Sequence, residues 1–365
     1  MSDPSRRRFL AQASAVATAP WLADLAGAAE PGRKLGVALC GLGSLSTNQI
    51  APALARTQHC RLAGIVTGTP AKARQWQQQY GLPERSIYDY DSMHRMADNP
   101  DIDIVYVVTP NALHLPHAQA AAAAGKHVFC EKPLEISVAR CQQMIDAVRG
   151  AGRLLGVAYR CQFEPNNLEC VRLAREQVLG ELRIIDAGFS FHIGDPTQWR
   201  LRRDLAGGGA LMDIGVYCLQ TTCQLTGEEP IWISAMEAKT DAQKFAEVDE
   251  TVIWQSRFPS GVVSSCIASY GANGYSGYRA GATGGWFGLE PGYYYDGNRG
   301  RRSDGMEIQI PVEDQFALEL DHFAECILTG SPCRVPGEMG LRDVRIMMAI
   351  YDSIRRGAPV ELAPG

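Results

Sequence analysis

The spacing of apolar and polar positions along this 365-residue chain changes near residue 158, and each half predicts its own architecture. In the first half, short apolar runs alternate with segments of helical length. Leu35–Cys40, Arg61–Val66, Ile87–Tyr88, Ile102–Val108, His127–Cys130 and Leu154–Ala158 read as strands. A helix beginning near Thr47 and helices over Pro70–Tyr80, Ser92–Ala97, Leu113–Ala124 and Ser137–Gly150 separate them. Strands and helices in this alternation predict a parallel, doubly wound sheet, an α/β Rossmann domain over 33–158. Its ligand crevice should lie outside the carboxyl ends of the strands.

The rhythm then changes. A helix over Pro165–Gln177 is followed by strands near Leu182–His192, Ile231–Lys239, Glu250–Phe258 and Val262–Tyr270. A long Gly- and Tyr-rich stretch runs from Gly271 to Gly305. Successive strands without intervening helices predict a C-terminal α+β domain over 159–365 with an open, mostly antiparallel sheet. The last helices are expected to pack back on the first domain.

The N-terminus carries no fold pattern. Ser5-Arg6-Arg7-Arg8-Phe9-Leu10 precedes an Ala-rich apolar stretch from Ala11 to Ala29, with small residues at Ala26-Gly27-Ala28. This reads as a twin-arginine export signal over 1–30, and hence a periplasmic protein exported already folded. The stretch is too short and Ala-rich to make a membrane span, so no stable membrane insertion is expected. A net charge of −5 offers no footprint for nucleic acid. The 11 cysteines are scattered, without a Cys-x-x-Cys pair or a Cys/His cluster at zinc spacing. No metal is expected, and most cysteines read as small core residues. Export in the folded state suits both the odd cysteine count and a cofactor acquired in the cytoplasm.

Four strand ends carry chemistry. The first leads into Gly41-Leu42-Gly43-Ser44-Leu45-Ser46 and then a helix, the order a dinucleotide fingerprint requires. Gly41 permits the tight turn. Gly43, Ser44 and Leu45 offer backbone to a pyrophosphate at the helix N-terminus, and Ser46 replaces the third glycine. The second strand ends in Thr67-Gly68-Thr69, where a ribose-binding acid would favour NAD, with Lys72 one turn on and Arg74 beyond. Two hydroxyls and a cation can receive a 2′-phosphate, so NADP is expected over NAD. The remaining ends are Thr109-Pro110-Asn111-Ala112-Leu113-His114 and Glu131-Lys132-Pro133.

In this order and spacing, these motifs resemble the Gfo/Idh/MocA family, closest to its glucose–fructose and aldose–aldose oxidoreductase branch. The resemblance continues through Tyr159-Arg160-Cys161, Trp199-Arg200, Gly207-Gly208-Gly209, Leu211 to Tyr217, Gly227 to Pro230, Gln315-Phe316 and Asp343-Val344-Arg345. It implies that Thr109, Asn111, His114, Glu131, Lys132, Arg160, Trp199 and Arg200 reach the cofactor. It also implies that Lys132, Arg160, Asp213, Tyr217 and Tyr295 reach substrate. Asp213 and Tyr217 stand four residues apart at a predicted helix start, which places them on one face. Much of the family has histidine at the position of Tyr217.

A sugar dehydrogenase needs a group that takes the hydroxyl proton as hydride leaves the same carbon. Tyr217 is expected to fill that role as general acid/base. Lys132 is expected to lower the phenol's ordinary value near 10 and to bind the hydroxyl, and Asp213 to orient the substrate. The expected function is a sugar oxidoreductase with tightly bound NADP(H). It would oxidise an aldose at C1 to a lactone and reduce a second sugar, an aldose, a ketose or a short glucan, to an alditol in a ping-pong cycle. The alternatives are an ordinary NADP-dependent sugar or inositol dehydrogenase, or a catalytically idle nucleotide-bound protein that binds glycans or senses redox state. Departures at Ser44-Leu45-Ser46, before Trp199 and across Gly271–Gly305 leave the donor and acceptor sugars open. Only about five residues, Ala29 to Arg33, separate the signal from the first strand, too few for a wrapping arm, so a homodimer through the open sheet face is expected.

Overall fold

The computed structural model describes residues 33–311 and 313–363, so the segment read as an export signal lies outside it. The first half contains β1 (Leu35–Cys40), α1 (Ala51–Leu54), β2 (Cys60–Val66), α2 (Pro70–Tyr80), β3 (Ile87–Tyr88), β4 (Ile104–Val107), α3 (His114–Ala123), β5 (His127–Glu131), α4 (Val138–Gly150) and β6 (Leu155–Ala158). Its six strands pair in the order β3-β2-β1-β4-β5-β6, all parallel. Every residue of β1, β4 and β6 is buried. Helices cover both faces of a parallel sheet, which is why these strands appear as unbroken apolar runs. The order reverses between β1 and β4, so the Gly-rich turn after β1 faces the loop after β4 across the crevice.

Two of the expected helices are locally different. The chain after the Gly-rich turn begins with a π-helical turn, Ser46–Ile50, before α1. The segment expected as an α-helix over Ser92–Ala97 is a 3₁₀ helix, Met93–Asp98. Asp89 and Ser92 cross-bond at its start, with Ser92 N donating to Asp89 Oδ1 at 2.8 Å, and Pro100 follows two residues after its end. Six residues between two such stops cannot build a stable α-helix.

The second half contains α5 (Pro165–Arg175), β7 (Leu182–Ser190), α6 (Arg203–Ala206), α7 (Val216–Thr226), β8 (Trp232–Ala238), β9 (Thr251–Arg257), β10 (Val263–Ser269), β11 (Ser276–Ala282), β12 (Gly285–Leu289), β13 (Gly300–Arg302), β14 (Glu307–Ile308), α8 (Gln315–Thr329), α9 (Gly337–Arg356) and β15 (Val360–Glu361). Its nine strands run β14-β13-β12-β11-β7-β10-β9-β8-β15. Only β7 and β10 pair in parallel; the other pairs are antiparallel. The Gly- and Tyr-rich stretch is therefore sheet, supplying β11, β12 and β13. Along β9, Val252, Trp254 and Ser256 are buried and their neighbours are not. This two-residue period presents one face inward. The other face leaves Ile184, Met236, Ile253 and Val263 exposed.

The C-terminal helices join the first sheet. Asp314 caps α8 by accepting from the Phe316 and Ala317 amides. Phe323 of α8 packs on Phe129 of β5 with ring centroids 4.8 Å apart. Burying such a ring contributes about 1.5–3 kcal/mol. Beyond α8, Val157 N donates to Val335 O at 2.8 Å, and Gly156 bridges Pro336 antiparallel. The chain thus adds to the free edge of β6. No helix among the described residues is long and apolar enough to cross a membrane.

Candidate active site

The cofactor end begins at Gly41, whose φ of +99° suits glycine. A side chain there would run into Val108 O. The buried Ser46 hydroxyl donates to Gly41 O at 2.6 Å and closes the turn, so the serine in the third glycine position is a hydrogen-bonding part of it. Gly43 and Ser44 are exposed, Leu45 is half-buried, and a Cβ on Gly43 would meet nothing within 4 Å. Open space over backbone amides at a helix start fits a dinucleotide pyrophosphate. At the end of β2, Thr67 is buried and Gly68 exposed. Lys72 Nζ reaches back to donate to Leu42 O at 3.1 Å. That ammonium therefore stands between the loops that follow β1 and β2. Tyr90 completes this wall, its edge 3.2 Å from the Cβ position of Gly68 and its ring stacked on His117 at 4.6 Å. Sequence spacing gave no signal for it.

Several residues expected to reach the cofactor also make buried bonds that hold the strand ends. His114 has no exposed surface. Its Nε2 lies 2.9 Å from Thr109 O and its Nδ1 3.1 Å from Pro133 O and Leu134 O. The ring thus ties the β4 loop to the β5 loop. Thr109 Oγ1 pairs with His117 Nδ1 at 3.1 Å, and Asn111 Nδ2 donates to Ala206 O at 2.9 Å. Glu131 is buried too, accepting from Tyr106 Oη at 2.8 Å and from the Lys132 amide at 3.2 Å. The same Tyr106 hydroxyl faces Glu319 of α8 at 3.3 Å. Burial pushes both carboxyls up, Glu319 furthest. Through these bonds the side chains position the backbone of the crevice.

Beside them, at the carboxyl ends of β5 and β6, charged groups converge. Lys132 Nζ donates to Asp213 O at 2.6 Å and to Asp213 Oδ1 at 3.2 Å. Asp213 Oδ2 accepts from Arg200 Nε at 3.0 Å and from Tyr270 Oη at 2.8 Å. Burial raises the Asp213 carboxyl, but Lys132, Arg200 and Tyr270 more than offset it and hold it well below the usual carboxylate range. Trp199 lies under the Arg200 guanidinium at 4.7 Å. Asp213 sits on a π-helical turn, Leu211–Gly215, that runs directly into α7, and Tyr217 is the second residue of that helix.

The cation at the Tyr217 hydroxyl is Arg160. Its Nε donates to Tyr217 Oη at 3.1 Å, and its guanidinium lies 4.7 Å from the Tyr217 ring and 4.6 Å from the Tyr295 ring. Arg160 is itself anchored by Gln315 Oε1 at 2.8 Å, Tyr293 O at 2.6 Å and Tyr294 O at 3.2 Å. Lys132 sits 4.9 Å over the Tyr217 ring and spends its hydrogen bonds on Asp213. The expectation that Lys132 tunes the phenol is corrected on this point. Burial raises the Tyr217 phenol above its ordinary value, Arg160 opposes that rise, and the net direction is up. Tyr278 and Tyr293 are buried in the aromatic layer behind Tyr217, whereas Tyr294 and Tyr295 are exposed. Tyr270, Gln315 and Glu319 belong to this network and were not legible as site residues in the sequence.

A glycine turn that fits a dinucleotide, beside a half-buried Lys–Asp pair and an arginine-bound phenol, defines a dinucleotide-dependent oxidoreductase. The chain belongs to the Gfo/Idh/MocA family. The family's "Oxidoreductase family, NAD-binding Rossmann fold" matches residues 35–159, and its C-terminal domain matches residues 168–287. Among solved structures, the chain is similar to aldose–aldose oxidoreductase from Caulobacter crescentus complexed with glycerol. Identity is 45% and the TM-score 0.88, over 90% of this chain and 100% of that one. D-xylose 1-dehydrogenase [NADP(+)] of Haloarcula marismortui is 32% identical over 89% of this chain and 92% of its own length. A trans-1,2-dihydrobenzene-1,2-diol dehydrogenase from Danio rerio is 27% identical over 87% of this chain and 95% of its own.

Proposed function

We propose that this chain is a sugar oxidoreductase that keeps NADP(H) bound, oxidises an aldose at C1 to its lactone and reduces a second sugar to an alditol in the same cleft. The carrying observation is the state of the Tyr217 hydroxyl: its oxygen accepts from Arg160, which leaves its own hydrogen free for a substrate oxygen. The similarity to the Caulobacter aldose–aldose oxidoreductase supports the two-sugar reading, and the NADP-dependent xylose dehydrogenase supports an aldose donor. Thr67 and Lys72 at the end of β2 support NADP.

NADP, when bound in the crevice, supplies the hydride acceptor for the first sugar and the hydride donor for the second. Everything else falls to side chains. Tyr217 takes the C1 hydroxyl proton as the C–H electron pair departs, and returns a proton to the carbonyl oxygen of the acceptor. Lys132, held by Asp213, presents its remaining N–H to that oxygen and stabilises the charge developing there. Asp213 stays ionised beside Lys132 and Arg200 and fixes both. Arg160 stabilises the phenolate form of Tyr217, while Tyr295, 4.6 Å from the Arg160 guanidinium, borders the sugar.

The twin-arginine segment supports export to the periplasm, where a retained nucleotide would need no free pool. The exposed apolar residues on the open sheet face support a homodimer, which light scattering of the purified chain checks. The test of the chemical assignment is Tyr217→Phe. It removes the hydroxyl and keeps the ring, so folding and nucleotide content should survive. Donor oxidation and acceptor reduction should fall together by about two to four orders of magnitude. Near-normal turnover in a nucleotide-loaded variant would refute it.

A further inference from the structure

We propose that His322, Cys326 and Cys333 form a binding site for a thiophilic cation, with zinc as the best match to the donor set. Their ligand atoms all lie within 4.8 Å of one another, and His322 Nε2 is 3.4 Å from Cys326 Sγ. Zinc–sulfur bonds of about 2.3 Å and zinc–nitrogen bonds of about 2.0 Å place N and S about 3.5 Å apart in a tetrahedral shell. The histidine and first thiol already have that separation.

Spacing along the sequence hides this site because the third ligand arrives through a reversal of the chain. His322 and Cys326 are one turn apart on α8 and share a face. Gly330, at φ +74°, ends the helix in the left-handed region, and the following residues bring Cys333 back onto that face. Neighbours already orient the donors. His322 Nε2 accepts the Arg334 amide at 2.9 Å, and a cation would take over that lone pair. Phe163 packs on the imidazole at 5.2 Å. The Arg334 guanidinium is engaged elsewhere, over the Phe163 ring at 5.0 Å and on Gln162 O at 3.0 Å. Cys326 is buried while His322 and Cys333 are partly exposed, which gives a solvent path to a buried thiol.

Three protein donors leave a fourth position for water. A cation here would fasten the end of α8 to the segment whose Val335 pairs with Val157 at the edge of the parallel sheet. The site is separate from the Lys132–Asp213–Tyr217 cluster.

The experiment uses the full chain, isolated with its nucleotide, treated with chelator under reductant and titrated with cobalt(II), then zinc. One cobalt per chain should give an intense thiolate-to-metal charge-transfer band. Zinc should abolish that band and raise the melting temperature. The partly exposed pair His322→Asn and Cys333→Ser should each lose the band and weaken zinc binding by about 100-fold or more, since loss of an outer partner alone costs about 10–100-fold. Sugar turnover should be unchanged in both. Absence of the band in the parent chain would overturn the proposal. So would zinc affinity unaltered by both variants, or a Cys326–Cys333 disulfide in protein isolated without reductant.

Discussion

Arg160 Nε donates to the Tyr217 hydroxyl at 3.1 Å, across 57 residues of sequence, while Lys132 stands over the ring and bonds Asp213. The protonation state of Tyr217, the proposed acid/base, therefore rests on burial against one guanidinium. Burial raises the phenol and wins, so Tyr217 is protonated at neutral pH. Acceptor reduction, which consumes that proton, should hold across neutral pH and fail as Tyr217 ionises in strong alkali. Donor oxidation should rise with pH over the same range. Arg160→Met removes the opposing cation and should move both limbs to higher pH, and Arg160→Lys should move them part of the way back. Profiles that stay in place when Arg160 is replaced would show that another group titrates.

Asp213 carries the reverse case. Lys132, Arg200 and Tyr270 overcome the effect of burial and depress its carboxyl. A depressed carboxyl contributes stability above its unfolded value of about 3.9, and that stability is lost as pH falls through the lower folded value. Asp213→Asn leaves two cations without their partner and should cost about 3–5 kcal/mol at neutral pH. Chemical denaturation checks this: the gap from the parent chain should narrow as the solution is acidified below the ordinary carboxylate range. A gap independent of pH would point to lost packing alone.

At the cofactor end, Thr67→Asp introduces a carboxylate where the 2′-phosphate is expected. NADP affinity should drop by about 100-fold, equal to about 2.7 kcal/mol of repulsion, with NAD affected much less. Competitive reloading of nucleotide-stripped protein measures the ratio. An unchanged preference would remove Thr67 from the 2′-phosphate pocket.

The fold was legible because its signals are local. Parallel strands buried on both faces appear as apolar runs, and Gly41 to Ser46 lies where strand passes into helix. The Gly- and Tyr-rich segment escaped because its strands carry glycine in place of alternating side chains. A Cβ on Gly288 would lie 2.2 Å from Tyr278 O, so close strand crossing demands the residue that erases the β pattern. Within the site, Lys132, Asp213 and Tyr217 were found as a set. Their hydrogen bonds were not, since Arg160–Tyr217, Tyr270–Asp213 and Glu131–Tyr106–Glu319 each join distant segments. Motif position placed His114 and Glu131 at the cofactor, but it did not show the buried bonds that each makes.

The most direct test is a single-turnover titration of the purified protein without added nucleotide. On mixing with one equivalent of an oxidisable aldose, the reduced-nicotinamide absorbance should rise towards one equivalent per chain. Addition of an acceptor sugar should discharge it and yield the alditol. Protein that emerges from gel filtration without nucleotide, and that oxidises sugar only when NADP is supplied, would contradict the retained-cofactor cycle and leave an ordinary NADP-dependent dehydrogenase.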